Sequence, residues 1–384
     1  MGDRGNQRLQ PPVLTVPACP EITYSEDRDK TGISSKNNIT LNSKLSLYQL
    51  IIMSSTKLIT VFGATGSQGG SVVESLIQNK ALSFKVKGIT RNPDSEKAKT
   101  LAGYGVEVVK ADGLVKEEVI EAFRGSWGVF VNTNSDDPSM NQKDGPTELD
   151  VGKVIVDAAA EAGVRHFVYS GMASASKTTG GAVPNQAFDM KHAVGKYAES
   201  KGAFETVNIV SPGWYQENHL VEEFAPALGG FPFAADEEGY LTLHVPRWGG
   251  NEEIPFISIG DDYGDLVHGI FLDPAKYSGR LVQAISASET TDKLVSEFEK
   301  VTGKKARFVP IEDWKTMETY GDPSFETVKY MFGFCQHSGG LYYGVPNDLG
   351  PAAELKAKAA EAKGDSSAGK LMTLETFWKK HFAS

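Results

Sequence analysis

Lys57-Leu58-Ile59-Thr60-Val61-Phe62-Gly63-Ala64-Thr65-Gly66-Ser67-Gln68-Gly69-Gly70-Ser71-Val72-Val73-Glu74-Ser75-Leu76-Ile77 is the stretch from which the fold is read. Its opening, Leu58 to Phe62, is short, β-branched and nearly all apolar, the composition of a parallel strand covered on both faces. From Ser71 onward, Val72, Val73, Leu76 and Ile77 return at helical spacing. Between them stands a Gly-x-x-Gly-x-x-Gly turn. Glycines alone say little in a chain that holds 40 of them, because any turn with positive φ recruits them. Flanked by a buried strand and a helix they say more: the first amides of the helix and its dipole face the place where a pyrophosphate would lie. Gly63 permits the tight turn, Gly66 lets the backbone approach phosphates, and Gly69 allows the helix to pack closely on the strand. Gly63, Ala64, Thr65, Gly66, Ser67, Gln68 and Gly69 are therefore expected to form a dinucleotide site.

Outward from this unit the alternation repeats. Strand candidates at Lys85–Thr90, Val106–Lys110, Gly128–Asn132, His166–Ser170 and Thr206–Val210 are separated by amphipathic stretches, which predicts an α/β fold with a doubly wound parallel sheet of the Rossmann kind. The helix before His166 is the clearest, with Val151, Val154, Ile155, Ala158 and Ala159 on one face and Gly163 at its end. Beyond Pro212 the pattern loosens into glycine pairs and prolines, the mark of a smaller C-terminal α+β region on the substrate side. Three parts are expected: a disordered arm over residues 1–55, poor in periodicity and rich in Pro, Asn and Ser; a nucleotide-binding domain over 56–212; and a substrate or partner region over 213–384, interleaved with it. The Ala/Lys/Glu-rich run Pro351–Lys363 reads equally as a solvated helix or a mobile segment.

Composition narrows the function. With 384 residues, 40% hydrophobic and 23% charged, the chain can bury a full core. A net charge of −10 argues against a phosphate-neutralising surface, so no direct nucleic-acid partner is expected. Only Cys19 and Cys335 are present, which speaks against disulfides and a cysteine-built metal site and for a reducing compartment, the cytoplasm or nucleus. No apolar run approaches the ~20 residues of a membrane span, and residues 1–20 lack the apolar centre of a secretory leader. No His-x-x-x-His or Cys-x-x-Cys spacing suggests a metal. A monomer or homodimer fits equally.

The residues after the second strand choose the cofactor. NAD enzymes commonly place an acid there for the ribose 2′-hydroxyl, NADP enzymes a cation for the 2′-phosphate. Here the sequence is Thr90-Arg91-Asn92-Pro93. The acid is missing and Arg91 can pair bidentately with a phosphate, so NADP(H) is preferred and NAD(H) is the second choice. Asp112, ending the third strand, is placed for the adenine edge or simply starts a turn.

Taken together, Val61 to Gly70, Thr90-Arg91-Asn92-Pro93, Val168-Tyr169-Ser170-Gly171 and Tyr215-Gln216-Glu217-Asn218 resemble the NmrA-like family of atypical short-chain dehydrogenases, as do Ile259 to Asp265 and Val301 to Lys304. The likeness runs from about residue 57 to the C-terminus, and its specific part is the Gly-Ala-Thr-Gly-Ser-Gln-Gly string. The resemblance implies that Gly63 through Gln68 hold a pyrophosphate, Arg91 and Asn92 the adenosine phosphate, and Asp112 and Gly113 the adenine. Thr133, Asn134, Lys191 and the segment Tyr215, Gln216, Glu217, Asn218 would surround the nicotinamide half.

Active short-chain dehydrogenases pair a tyrosine proton donor with a lysine four residues later and a strand serine. In Ala187-Phe188-Asp189-Met190-Lys191 the lysine stands, but Ala187 occupies the tyrosine position. Met172 takes the serine position unless the alignment slips by one residue onto Ser170. Lys191 and Tyr215 are the remaining catalytic candidates. Two functions follow: an NADP(H)-dependent oxidoreductase acting on a small carbonyl or unsaturated metabolite, or a redox sensor that binds NADP(H) or NAD(H) and regulates a protein partner such as a transcription factor. Loss of the tyrosine and the serine favours the second, whereas the retained lysine and the long C-terminal region favour the first, which is the reading adopted.

Overall fold

The computed structural model describes residues 56–382 except 138 and 141–144; the arm expected over 1–55 lies outside the described residues. Seven parallel strands form the main sheet. They are β1 (Lys57–Phe62), β2 (Phe84–Thr90), β3 (Glu107–Lys110), β4 (Gly128–Val131), β5 (His166–Ser170), β6 (Thr206–Pro212) and β10 (Leu281–Ala284). Their order is β3-β2-β1-β4-β5-β6-β10. The direction of winding reverses between β1 and β4, which pair from Ile59 opposite Gly128 to Phe62 opposite Val131. At such a switch point the crevice beyond the carboxyl ends of the strands is the natural ligand site.

Both faces of the sheet are covered, which is why its strands read as apolar runs. On one face lie α1 (Ser67–Ile77), α7 (Gly264–Leu272) and α10 (Gly350–Lys363), whose Val72, Leu266 and Leu355 join Ile59, Phe130 and Val168. The other carries α3 (Lys116–Phe123), α4 (Glu148–Glu161) and α6 (Gln186–Ser200), with Phe123, Ile155 and Val194 against Val129, Val131 and Phe167. Side chains alternate across each strand, so Val129 and Phe130 serve different cores. Two shorter helices, α2 (Glu96–Gly103) and α5 (Ala175–Thr178), complete this part.

The C-terminal region adds α8 (Thr291–Thr302), α9 (Pro323–Ser338) and α11 (Leu374–Phe382). It also holds β7 (Trp214–Tyr215), β9 (Ile254–Ile257) and β11 (Ala287–Glu289) in one small sheet, and β8 (Leu241–Leu243) with β12 (Ala306–Phe308) in another. Its own core is aromatic: Phe231, Phe298 and Trp378 meet edge to face at 5.0–5.9 Å. The run Pro351–Lys363 falls within α10, and it is not solvated. Ala352, Leu355, Ala359, Ala360 and Ala362 are buried, because alanine lets α10 lie close to α7. Lys356 is buried with them on Asp262 and Asp265, at 3.0 and 2.7 Å. Among the described residues no helix is long and apolar enough to cross a membrane.

Candidate active site

A cleft of about 740 Å³ opens at the carboxyl ends of β1, β2, β3 and β4, and Gly63, Thr65, Gly66, Ser67 and Gln68 form its floor. Gly66 caps α1 without any side-chain hydrogen bond, and no acidic side chain stands in the first turn. The first amides of the helix are thus left to the cleft, as an anion site requires. Gly63 sits at φ +77°, and a Cβ on Gly69 would come within 2.2 Å of the Gly63 carbonyl oxygen. Only hydrogen fits there, so the turn can press against α1 and expose its amides. Gln68, 5% exposed, donates from Nε2 to the Tyr215 phenol oxygen at 2.5 Å. Among the described residues its Oε1 has no hydrogen-bond partner, which leaves a buried acceptor available to a donor on a ligand in the cleft.

At one end the cleft is lined by Arg91, Asn92, Asp112 and Gly113. Arg91 Nη1 lies 2.7 Å from Asp137 Oδ2. Asp112 Oδ1 accepts from the Leu114 N–H, closing its own turn, so turn and lining roles coincide. The other end holds Thr133, Asn134, Lys191 and Tyr215. There the Lys191 Nζ donates to the Thr133 carbonyl at 2.6 Å, to Glu148 Oε1 at 2.5 Å and to Thr133 Oγ1 at 3.2 Å. Glu148 also accepts from Thr133 Oγ1 at 2.5 Å and from Ser135 Oγ at 2.8 Å. The Tyr169 hydroxyl closes the cluster 2.9 Å from Thr133 Oγ1. Burial pushes the Tyr215 phenol up to about 12, against the opposing hydrogen bond from Gln68, so it stays protonated at neutral pH.

Local sequence explains why Lys191 and Glu148 meet. Thr147 and Asp150 form a reciprocal capping box that starts α4 and puts Glu148 in its first turn, where the helix dipole favours a carboxylate. Asn185 caps α6 by accepting from the Phe188 N–H. A Cβ on Gly152 would meet Val194 at 2.3 Å, so the two helices approach more closely than any side chain on Gly152 would allow. One turn from that contact, Glu148 faces Lys191.

A second cavity of about 580 Å³ adjoins the cleft and shares Ser135, Asp136 and Met140 with it. Its wall includes Ala187, so the position vacated by the tyrosine is open space. Met190, Pro184, Pro323 and Tyr330 supply apolar surface, and Asp136, Glu148, Asp189 and Glu326 supply carboxylates. No lysine, arginine or histidine is found among the described lining residues. Desolvation pushes the Asp136 carboxyl up against the opposing charge of Lys191, and the neighbouring carboxylates Glu148 and Asp322 add to the rise. Asp189 is half-buried, yet hydrogen bonds from Ser174, Ser176 and Asn185 outweigh its desolvation and hold it below the usual carboxylate range.

Several expected residues stand elsewhere. Ala64 and Gly69 support the turn from behind and do not line the cleft. Of the Tyr215–Asn218 segment only Tyr215 reaches it: Gln216 is wholly buried, Glu217 accepts from Ser258 Oγ and the Gly260 N–H, and Asn218 is not in the wall. The chain turns away after Tyr215 into the 3-10 segment Gln216–Leu220. Ser170, 1% exposed, and Met172, packed in the C-terminal core, both lie outside cleft and cavity. Glu148, Ser135, Asp136 and Asp137 were not read from the sequence. The Thr147-x-x-Asp150 box was a usable signal for the start of α4, but the partner of Glu148 lies 43 positions away.

Residues 55–377 match the NmrA-like family. The chain belongs to that family. It is 50% identical over 336 residues to the NmrA-like family domain-containing oxidoreductase FrzB of a Cladobotryum species, covering 86% of this chain and 99% of the relative. Among solved structures it resembles NmrA, a negative transcriptional regulator, in complex with NAD, with a TM-score of 0.66 at 19% identity over 85% of this chain and 95% of the other. The NADPH-dependent quinone oxidoreductase QOR2 of Escherichia coli, complexed with NADPH, gives 0.61 at 21% over 84% and 99%. The Rossmann-like fold of NmrA-like proteins is thus shared with both a regulator and an enzyme. The uncapped α1 terminus, the glycine cradle and the orphaned Gln68 Oε1 fit a nicotinamide dinucleotide in this chain.

Proposed function

We propose that this NmrA-like protein is an NADP(H)-dependent oxidoreductase that reduces a small, largely apolar metabolite at a C=O or C=N carbon. The observation that carries this reading is that the two cavities adjoin, sharing Ser135, Asp136 and Met140 in their walls, with Lys191 lining the cleft and Glu148 lining the second cavity. Gly63 through Gln68 would hold the pyrophosphate, Arg91 the adenosine side, and Thr133, Asn134, Lys191 and Tyr215 the nicotinamide end. Bound there, NADPH supplies a hydride. A protein that only read cofactor occupancy would have no need of a second, partly apolar cavity at the reactive end, which is why the sensor reading ranks behind.

The wall chemistry narrows the substrate. With carboxylates and no cation among its described residues, the second cavity disfavours an anionic substrate and suits a neutral or cationic one. Each of the three Lys191 N–H bonds already points at a protein acceptor, and the phenol of Tyr215 is a weak acid. Reduction of a neutral carbonyl needs a proton on oxygen, which Lys191 could give only by breaking one of these bonds. A protonated imine accepts hydride at carbon and becomes an amine with no proton from the enzyme, and the carboxylates favour its charge. The test is NADPH consumption, followed by absorbance, with matched cyclic imines, ketones and carboxylate-bearing analogues. Turnover of imine or ketone and rejection of the anionic analogues is expected; no consumption across the panel would remove the enzymatic reading.

A further inference from the structure

We propose that Asp137 competes with the adenosine 2′-phosphate for Arg91, and so narrows the protein's discrimination between NADP(H) and NAD(H). This rests on the reading of the cleft as a nicotinamide dinucleotide site. Arg91, at the end of β2, is 61% exposed in its side chain, whereas Asp137, in the segment after β4, is only 7% exposed. The pair therefore has a buried member and an exposed one. Asp137 is anchored by its own turn: Oδ1 accepts from the Ser139 N–H at 3.0 Å and from Ser139 Oγ at 2.7 Å. Its backbone N–H is held by the Asn134 carbonyl, and Oδ2 faces Arg91 Nη1 at 2.7 Å. Burial works against the charge, but the bonds from Ser139 and Arg91 prevail and keep the carboxyl below its usual range.

Both partners line the cleft, with Lys97 and Asp112 as the other charges near the adenosine end. Among the described lining residues at this end, two cations face two carboxylates, so their charges balance. A 2′-phosphate arriving there must draw Arg91 away from Asp137 and then sit beside that carboxylate. A ribose 2′-hydroxyl carries no charge, and it meets neither demand. An arginine at this position, usually a mark of strict NADP use, is here partly spent within the protein.

Asp137→Asn keeps the acceptor that Ser139 uses and removes the negative charge, so the turn survives; Asp137→Ser is a second neutral variant. Calorimetric titration of NADPH and NADH would be run on wild type, both variants, Arg91→Ala and the Arg91→Ala/Asp137→Asn pair. Competition predicts NADPH binding tightened about fivefold by either Asp137 variant, with NADH unchanged within about twofold, as expected for a charge pair near the surface. Most of that gain must vanish once Arg91 is alanine. An unchanged NADPH-to-NADH ratio in both Asp137 variants, while Arg91→Ala still weakens NADPH, overturns the competition and leaves the cofactor site standing. Wild-type protein that binds neither nucleotide overturns both.

Discussion

Lys191 Nζ and Glu148 Oε1 meet at 2.5 Å, with side-chain exposures of 13% and 3%, between the nucleotide cleft and the second cavity. Removing one partner of a buried pair strands the other without a counter-charge, which commonly costs about 3–5 kcal/mol. Glu148→Gln is expected near the lower figure, about 3 kcal/mol, since Lys191 keeps the Thr133 carbonyl and some access to water. Chemical denaturation measures it. Lys191→Met combined with Glu148→Gln should restore much of the loss, because no buried ammonium then remains; strictly additive losses would show that the two residues are not coupled.

The source of the proton separates the two electrophiles. With a ketone, Lys191→Met is expected to lower kcat by about a hundredfold, the usual weight of general acid catalysis. With a cationic imine of the same skeleton the loss should stay below about tenfold, because no acid is required. Tyr215→Phe, which removes a phenol held at about 12, should cost less than about tenfold with either. Equal large losses for both substrates in Lys191→Met would assign the lysine to cofactor binding rather than proton supply, and the KM for NADPH would rise with it.

The fold and half of the site were legible in the sequence for one physical reason: they depend on local pattern. Lys57 to Ile77 declares strand, turn and helix by itself, and Arg91 and Asp112 follow from their distance after strands. The strand Leu281–Ala284 was missed because four residues, one of them Gln283, carry no periodicity; it joins the sheet only by pairing with β6. Glu148 was missed for a related reason. A carboxylate in a first helical turn is ordinarily solvated, and only the Gly152–Val194 approach reveals that this one is buried. Gln216 and Glu217 share a motif with Tyr215, yet the 3-10 segment turns them inward, a matter of backbone path that spacing does not encode.

Gly69 tests the cradle by space alone. A methyl there would stand 2.2 Å from the Gly63 carbonyl oxygen and 2.7 Å from its carbon, backbone atoms that cannot step aside without moving the turn. Gly69→Ala should therefore destabilise the protein by about 1–3 kcal/mol, the range for overpacking. It should weaken NADPH by more than about tenfold, since the amides of α1 shift with the turn. Melting curves and titration give the two numbers. A stable variant with unaltered NADPH affinity would place the phosphates elsewhere.

Stability should also fall in mild acid through His219. This residue is 2% exposed, flanked by Phe231 and Trp378 at ring distances of 6.0 and 5.9 Å, and bonded through Nδ1 to the Gln216 carbonyl at 3.1 Å. Burial holds its pKa down to about 4, against only a small opposing bond from Gln216. The folded protein keeps the ring neutral, while the unfolded chain protonates it below about 6.5. Its contribution to stability is thus complete above pH 6.5 and is lost progressively as the pH falls towards 4, by about 2–3 kcal/mol in all. Carboxylates held low by their bonds, such as Asp137 and Asp189, lose stability in the same direction but mainly below pH 4. His219→Gln retains an N–H for the Gln216 carbonyl and cannot titrate. Melting temperatures measured from pH 7 to 4 should fall less steeply in that variant, and identical slopes would mean that His219 carries its proton in the folded state.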